Sequence, residues 1–155
     1  MLTRAISRAT LGSLAAAAVA TGVAVAATSV TPAVGSYASS AKSLNGSGKG
    51  TVLGVVKKGS GRELKYLYLQ CFVNRNNLGA VQAAKAIKVS KSGSFSYNGK
   101  AMILHDGTLA GHGTLKVRGK FVSATKARGT VKYSSKAKLK GCPASGSSFT
   151  VTKKK

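Results

Sequence analysis

From Leu115 to Tyr133 the chain reads LKVRGKFVSATKARGTVKY, and its residues alternate with a period of two. Leu115, Val117, Gly119 and Phe121 interleave with Lys116, Arg118 and Lys120; Ala127, Gly129, Val131 and Tyr133 then interleave with Arg128, Thr130 and Lys132. Successive side chains of a β-strand point to opposite faces, so this pattern describes two strands with one apolar face and one cationic face. Lys116, Arg118, Lys120, Arg128 and Lys132 are expected on the outer face of neighbouring strands, with Lys126 near the turn. Like charges opposed across a ladder destabilise the pair. A face that served solubility alone would mix its signs.

The imbalance runs through the whole chain. Twenty-five basic residues stand against two acids, Glu63 and Asp106, for a formal charge of +23. Self-repulsion of that order opposes compaction and invites an anionic partner that screens it. Lysine dominates arginine among the cations, which favours diffuse attraction over bidentate recognition. The expected partner is an anionic polymer or an anionic lipid surface, with nucleic acid only as a non-specific polyanion. The competing reading is edge lysines that block strand pairing in an exported protein.

Residues 1–26 have a signal-peptide layout. Arg4 and Arg8 precede a run of small apolar residues, Leu11 to Ala27, too short and too weakly apolar for a comfortable membrane span. Ala24-Val25-Ala26 places cleavage before Ala27, and Ser36-Tyr37-Ala38 offers a second site. The mature chain is therefore expected to be secreted or associated with the cell envelope, with no transmembrane segment. Residues 27–49, rich in Ser, Ala and Gly, read as a flexible linker. Two cysteines in an exported chain suggest one disulfide, Cys71 to Cys142.

Residues 50–155 read as a single β-domain with a short basic tail. TVLGVVKKGSGRELKYLYLQCFV holds two apolar runs divided by Lys57-Lys58-Gly59-Ser60-Gly61, a hairpin of the longer-loop type. In the second run Leu64, Leu67, Leu69 and Cys71 form one apolar set, and Tyr66, Tyr68 and Phe72 a second. Both are expected in the core of a central strand. Asn74 to Ala86 reads as a loop. AIKVSKSGSFSY is a hairpin turning at Ser92-Gly93, and Ser147, Phe149 and Val151 alternate with Ser148, Thr150 and Thr152 before Lys153-Lys154-Lys155. The expected fold is an all-β antiparallel meander of about seven or eight strands, closed as a small sandwich or barrel.

A strand ending in Cys71, then IKVSKSGSFSYNG, GTLKVRGKFVSATKARGTVKY and GCPASGSSFTVTKK, in this order, resembles a recurrent group of secreted, two-cysteine, β-rich proteins of actinobacteria. The resemblance covers Gly50 to Lys154 and implies a compact exported β-domain with a disulfide. It implies no chemistry.

No catalytic or cofactor motif stands out. LHDGTLAGHG, Leu104 to Gly113, holds both histidines and Asp106. A metal site needs three or four ligands, and only Glu63 and the cysteines lie elsewhere, so this segment reads as a glycine-rich turn with exposed side chains. Asp106 is badly placed to orient His105, though within reach of His112 across the turn, and no serine sits in a nucleophile elbow. A paired-carboxylate mechanism would require Glu63 and Asp106 as the pair. Tyr66, Tyr68 and Phe72 beside Lys65 suit a stacking platform for single strands, but serve equally as core. GSGKGT, Gly46 to Thr51, lacks the spacing of a phosphate loop. The expectation is a non-enzymatic exported β-domain without cofactor or metal, held electrostatically on anionic envelope or extracellular polymers. The alternative is a structural or assembly protein that docks another exported protein.

Overall fold

The structure, a computed structural model, describes residues 29–39, 50–72, 78–136, 139 and 146–155. Residues 1–28, where a leader is expected, most of the expected linker and Cys142 lie outside the described residues. Among those described, nine strands run in chain order: β1 (Gly35–Ala38), β2 (Gly50–Lys58), β3 (Gly61–Phe72), β4 (Leu78–Ala83), β5 (Ile87–Val89), β6 (Ser94–His105), β7 (Thr108–Ser123), β8 (Lys126–Ser135) and β9 (Ser147–Lys153). Every pairing is antiparallel, and the sheet closes on itself in the order β2-β1-β9-β8-β7-β6-β4-β3, with β3 returning to β2 and β5 paired on β3. The result is the expected meander, closed as a ring packed in the manner of a sandwich. No helix among the described residues is long and apolar enough to cross a membrane.

The ring is held by what it encloses. Inward residues of alternate positions, including Leu53, Leu67, Val81, Ile103, Leu115, Val117, Phe121 and Val151, are at most 1% exposed. Each such side chain contributes on the order of 1.5–3 kcal/mol by leaving water. The rings of Tyr37 and Phe121 meet edge to face at 5.4 Å, and Phe95 lies 5.6 Å from Phe121. Gly119 and Gly129 face each other across β7 and β8. A side chain at Gly119 would collide with the Phe95 ring, and one at Gly129 would collide with the Arg118 carbonyl and approach Phe149. The missing β-carbons are what let two phenyl rings lie across the wall.

Two segments became strands against expectation. The linker reading of residues 27–49 is corrected by β1, whose Tyr37 is wholly buried and whose ladder joins both β2 and β9. One large side chain among Gly, Ser and Ala carries the strand, so no period announces it. Likewise the loop reading of Asn74 to Ala86 is corrected by β4, which pairs with β3 and β6. Here Val81 and Ala83 point inward while Ala80 and Gln82 point out, too small a contrast to register as alternation.

In β3, Gly54 pairs with Tyr66 but Val55 pairs with Leu64, which leaves Lys65 as an extra, bulged residue. The bulge brings Leu64 into phase with Leu67, Leu69 and Cys71, and all four are buried. The core reading of the tyrosines is also corrected: alternating with the buried Leu67 and Leu69, Tyr66 and Tyr68 stand half-buried on the outer face, their rings 5.8 Å apart. The Phe72 side chain lies outside the described residues. The β2–β3 connection is tighter than expected, a two-residue turn with Gly59 at φ 55°.

Of the expected Cys71–Cys142 bridge only one end is described: Cys71 is 1% exposed and carries no free thiol, and Cys142 lies outside the described residues.

An N-terminal arm, residues 29–34, crosses one end of the ring. Ala33 N–H donates to the Ala124 carbonyl at 2.8 Å, Arg62 Nε donates to the Pro32 carbonyl at 3.2 Å, and Val30 packs on the core. The Tyr37 hydroxyl lies 2.7 Å from the Ala33 carbonyl and 2.6 Å from that of Ala124, tying arm and β7–β8 turn to β1. Burial raises the Tyr37 pKa above its ordinary 10.0, the Ala33 hydrogen bond opposing in part. A raised folded value means that this contribution is complete below the unfolded pKa and is lost as the pH climbs through the folded one. Tyr37→Phe should cost about 1–2 kcal/mol and flatten the loss of stability above pH ~10, measured by denaturant unfolding on both sides of that pH. Gly129→Ala, which forces a backbone shift or a displaced ring, should cost about 1–3 kcal/mol in the same assay.

Candidate functional site

The register of β6 to β9 assembles the cationic face. Across the sheet, Ser94, Lys120, Arg128 and Thr150 form one row; Ser96, Arg118, Thr130 and Ser148 the next; Asn98, Lys116 and Lys132 a third. All are exposed except the half-buried Ser94. Lys100 extends the face along β6, opposite Thr114, and Lys126 extends it at the β7–β8 turn, opposite Thr152. The six cations expected on the outer face therefore stand together on one surface, joined by Lys100, which sequence reasoning missed. Its signal was available: Lys100 shares parity with Ser94, Ser96 and Asn98.

Two like-charged pairs are set directly opposite, Lys116 against Lys132 and Lys120 against Arg128. Along β7 the cations recur every second residue, about 6.6 Å apart, and neighbouring strands lie about 4.8 Å apart. Hydroxyl and amide groups of Ser96, Asn98 and Thr130 fill the positions between them. Such a surface offers an anion both charge and hydrogen-bond donors. Lys116, Arg118 and Lys132, with those three polar residues, line a hollow of about 390 Å³ bordered by Gly146.

The two acids stand elsewhere. Glu63 lies 3.6 Å from Lys58 near the β2–β3 turn and opposite Lys88 in the ladder. Asp106 forms the β6–β7 turn with Gly107, both at positive φ (49° and 80°). The strand register sets the two carboxylates at opposite ends of the ring, so they form no catalytic pair. Asp106 Oδ2 stands 3.7 Å from His105 Nε2, a nitrogen that is buried without a hydrogen-bond partner. His112 sits further along β7, opposite Met102. Asp106 thus neighbours the histidine that the sequence pairs it with less readily. Among the described residues no three His, Cys, Asp or Glu side chains cluster as metal ligands.

Across the ring, the outer faces of β1 to β4 are mostly neutral: Ser36, Val52, Tyr66, Tyr68, Gln70 and Gln82 share that side. Tyr66 covers Gly54 and its hydroxyl shares a 2.9 Å hydrogen bond with Ser36 Oγ. Burial, reinforced by the neighbouring Tyr66, raises the Tyr68 pKa. The cations of β2, β3 and β5 gather toward the turns at one end, with Lys57, Lys58, Arg62 and Lys88 among them. The positive skin is therefore uneven, densest on β7 and β8.

No family model matches the chain, and neither the curated proteins nor the solved structures yield a match.

The opposed lysines separate a binding role from a solubilising one. Lys132→Glu turns a repulsive pair into an attractive one and should stabilise the fold by about 0.2–1 kcal/mol in chemical denaturation, while weakening retention on a polyanion. A parallel gain or loss in both measurements would contradict that separation.

Proposed function

We propose that this protein is a non-enzymatic exported domain that rests, through the outer face of β6 to β9, on anionic material of the cell envelope or the extracellular matrix. The observation that carries the reading is an acid-free face on which Lys100, Lys116, Arg118, Lys120, Lys126, Arg128 and Lys132 stand together. Opposed cations weaken their own ladder, and an anionic partner removes that cost by screening them. Export rests on the leader-like N-terminus, and the likeness to secreted two-cysteine actinobacterial proteins belongs to the same reading.

The chemistry of such a face is counterion release, which is sequence-independent and salt-sensitive. Short duplex DNA is a convenient non-specific polyanion. With about five phosphate contacts, affinity should fall on the order of 10²- to 10³-fold between roughly 50 and 200 mM salt, with no preference among sequences. Glutamine at Lys116, Arg118 and Lys132 together should remove most of that salt dependence. Binding indifferent to salt, or unaltered in the triple variant, contradicts the proposal.

A second reading, docking of another exported protein, draws on the neutral wall that carries Tyr66 and Tyr68. One stoichiometric partner retained at high salt and lost on Tyr68→Ala would favour it over the first.

A further inference from the structure

The wall of the ring parts between β5 and β6. The two segments share one hairpin register, tied at one end by Ala84 N–H to the Lys100 carbonyl (3.2 Å) and at the other by Ser90 N–H to the Ser94 carbonyl (2.8 Å). Between those ties β5 pairs only with β3, and β6 turns its paired edge to β7. The Tyr97 hydroxyl braces the first tie, accepting from Ala84 N–H and donating to the Lys100 carbonyl. The gap forms a groove of about 710 Å³ floored by Ile87, Val89, Phe95 and Tyr97, with Lys88 and Arg118 at its rim.

This groove adjoins the cationic hollow of about 390 Å³: Ser96, Tyr97 and Arg118 line both. No acid lines either one. An apolar trough thus opens beside a cluster of three cations, with the Arg118 guanidinium between them. Its planar fork suits the oxygens of a phosphate. Both volumes lie within the range of small-molecule sites, about 300–1,000 Å³.

We infer that this composite site binds an anionic lipid, its phosphate held by Lys116, Arg118 and Lys132 and its acyl chain lying along Ile87, Val89, Phe95 and Tyr97. The inference rests on reading the β6–β9 face as anion-binding, and selects one anion, a phosphate bearing a hydrocarbon tail. An extended peptide does not fit as well: the gap is closed at both ends by backbone hydrogen bonds, so a strand cannot run through it, whereas a tail needs only one entrance. Charge complementarity and apolar lining meet at Ser96 and Arg118, the two exposed residues that line both hollows.

The test compares three probes by titration followed through the NMR signals of Ile87, Val89 and Tyr97: dodecyl phosphate below its micelle concentration, inorganic phosphate, and dodecyl maltoside. Dodecyl phosphate should bind at least about tenfold more tightly than either other probe, since only it engages both the cations and the apolar floor. Ser96→Trp, which fills the space where the two hollows adjoin, should abolish that preference; Ser36→Ala, on the neutral wall across the ring, should keep it. Equal binding of dodecyl phosphate and inorganic phosphate, equal binding of the maltoside, an unaltered preference in Ser96→Trp, or displacement of dodecyl phosphate by an acidic peptide overturns the inference. If DNA binding keeps its salt dependence in that event, the broader anionic role stands and only the lipid site falls. If dodecyl phosphate keeps its preference but DNA is not bound, the polymer role falls instead.

Discussion

Pairing of β1 with both β2 and β9 is the closure on which the rest depends. Without those four residues, Gly35–Ala38, the meander would end in two open edges, each a row of unpaired backbone groups able to recruit another chain. Tyr37 makes so short a strand sufficient. Its ring meets Phe121 edge to face in the interior, and its hydroxyl gathers two carbonyls from different parts of the chain. One side chain therefore joins a sheet edge, a turn and the arm that covers the end of the ring.

Closure also explains how the molecule tolerates its own charge. Repulsion across Lys116/Lys132 and Lys120/Arg128 opposes the β7–β8 pairing by about 0.2–1 kcal/mol per pair. The same two strands bury Leu115, Val117, Phe121, Val131 and Tyr133 on their inner side, each on the order of 1.5–3 kcal/mol. The inward row outweighs the outward one, so the core beneath the cationic face is what lets it stand. Gly119 and Gly129 serve that core directly, since Phe95 and Phe149 occupy the space their side chains would have taken.

Where each face of a strand had a distinct chemistry, the sequence was legible residue by residue. β7 and β8 keep the predicted parity from Leu115 to Tyr133, and every predicted cation of the face is exposed on it. The pattern failed where contrast was low. β4 alternates Ala with Val and Gln, and β1 consists of small residues around a single tyrosine. A bulge is a different kind of blindness: nothing about Lys65 signals an extra residue, yet it is what puts Leu64 on the core side with Leu67, Leu69 and Cys71. The parting of β5 from β6 was equally hidden, because both segments alternate as an ordinary hairpin does. Only the pairing of β5 with β3 separates them.

The tie between Tyr37 and Lys153 has a consequence in time. A ring that joins β1 to β9 cannot close before β9 has been made, and contacts so distant along the chain fold slowly. During that interval every growing chain displays raw sheet borders to its neighbours. Rows of lysine and arginine on the newest hairpin push those neighbours apart, so the repulsion that burdens the finished molecule guards the unfinished one from sticking to its siblings.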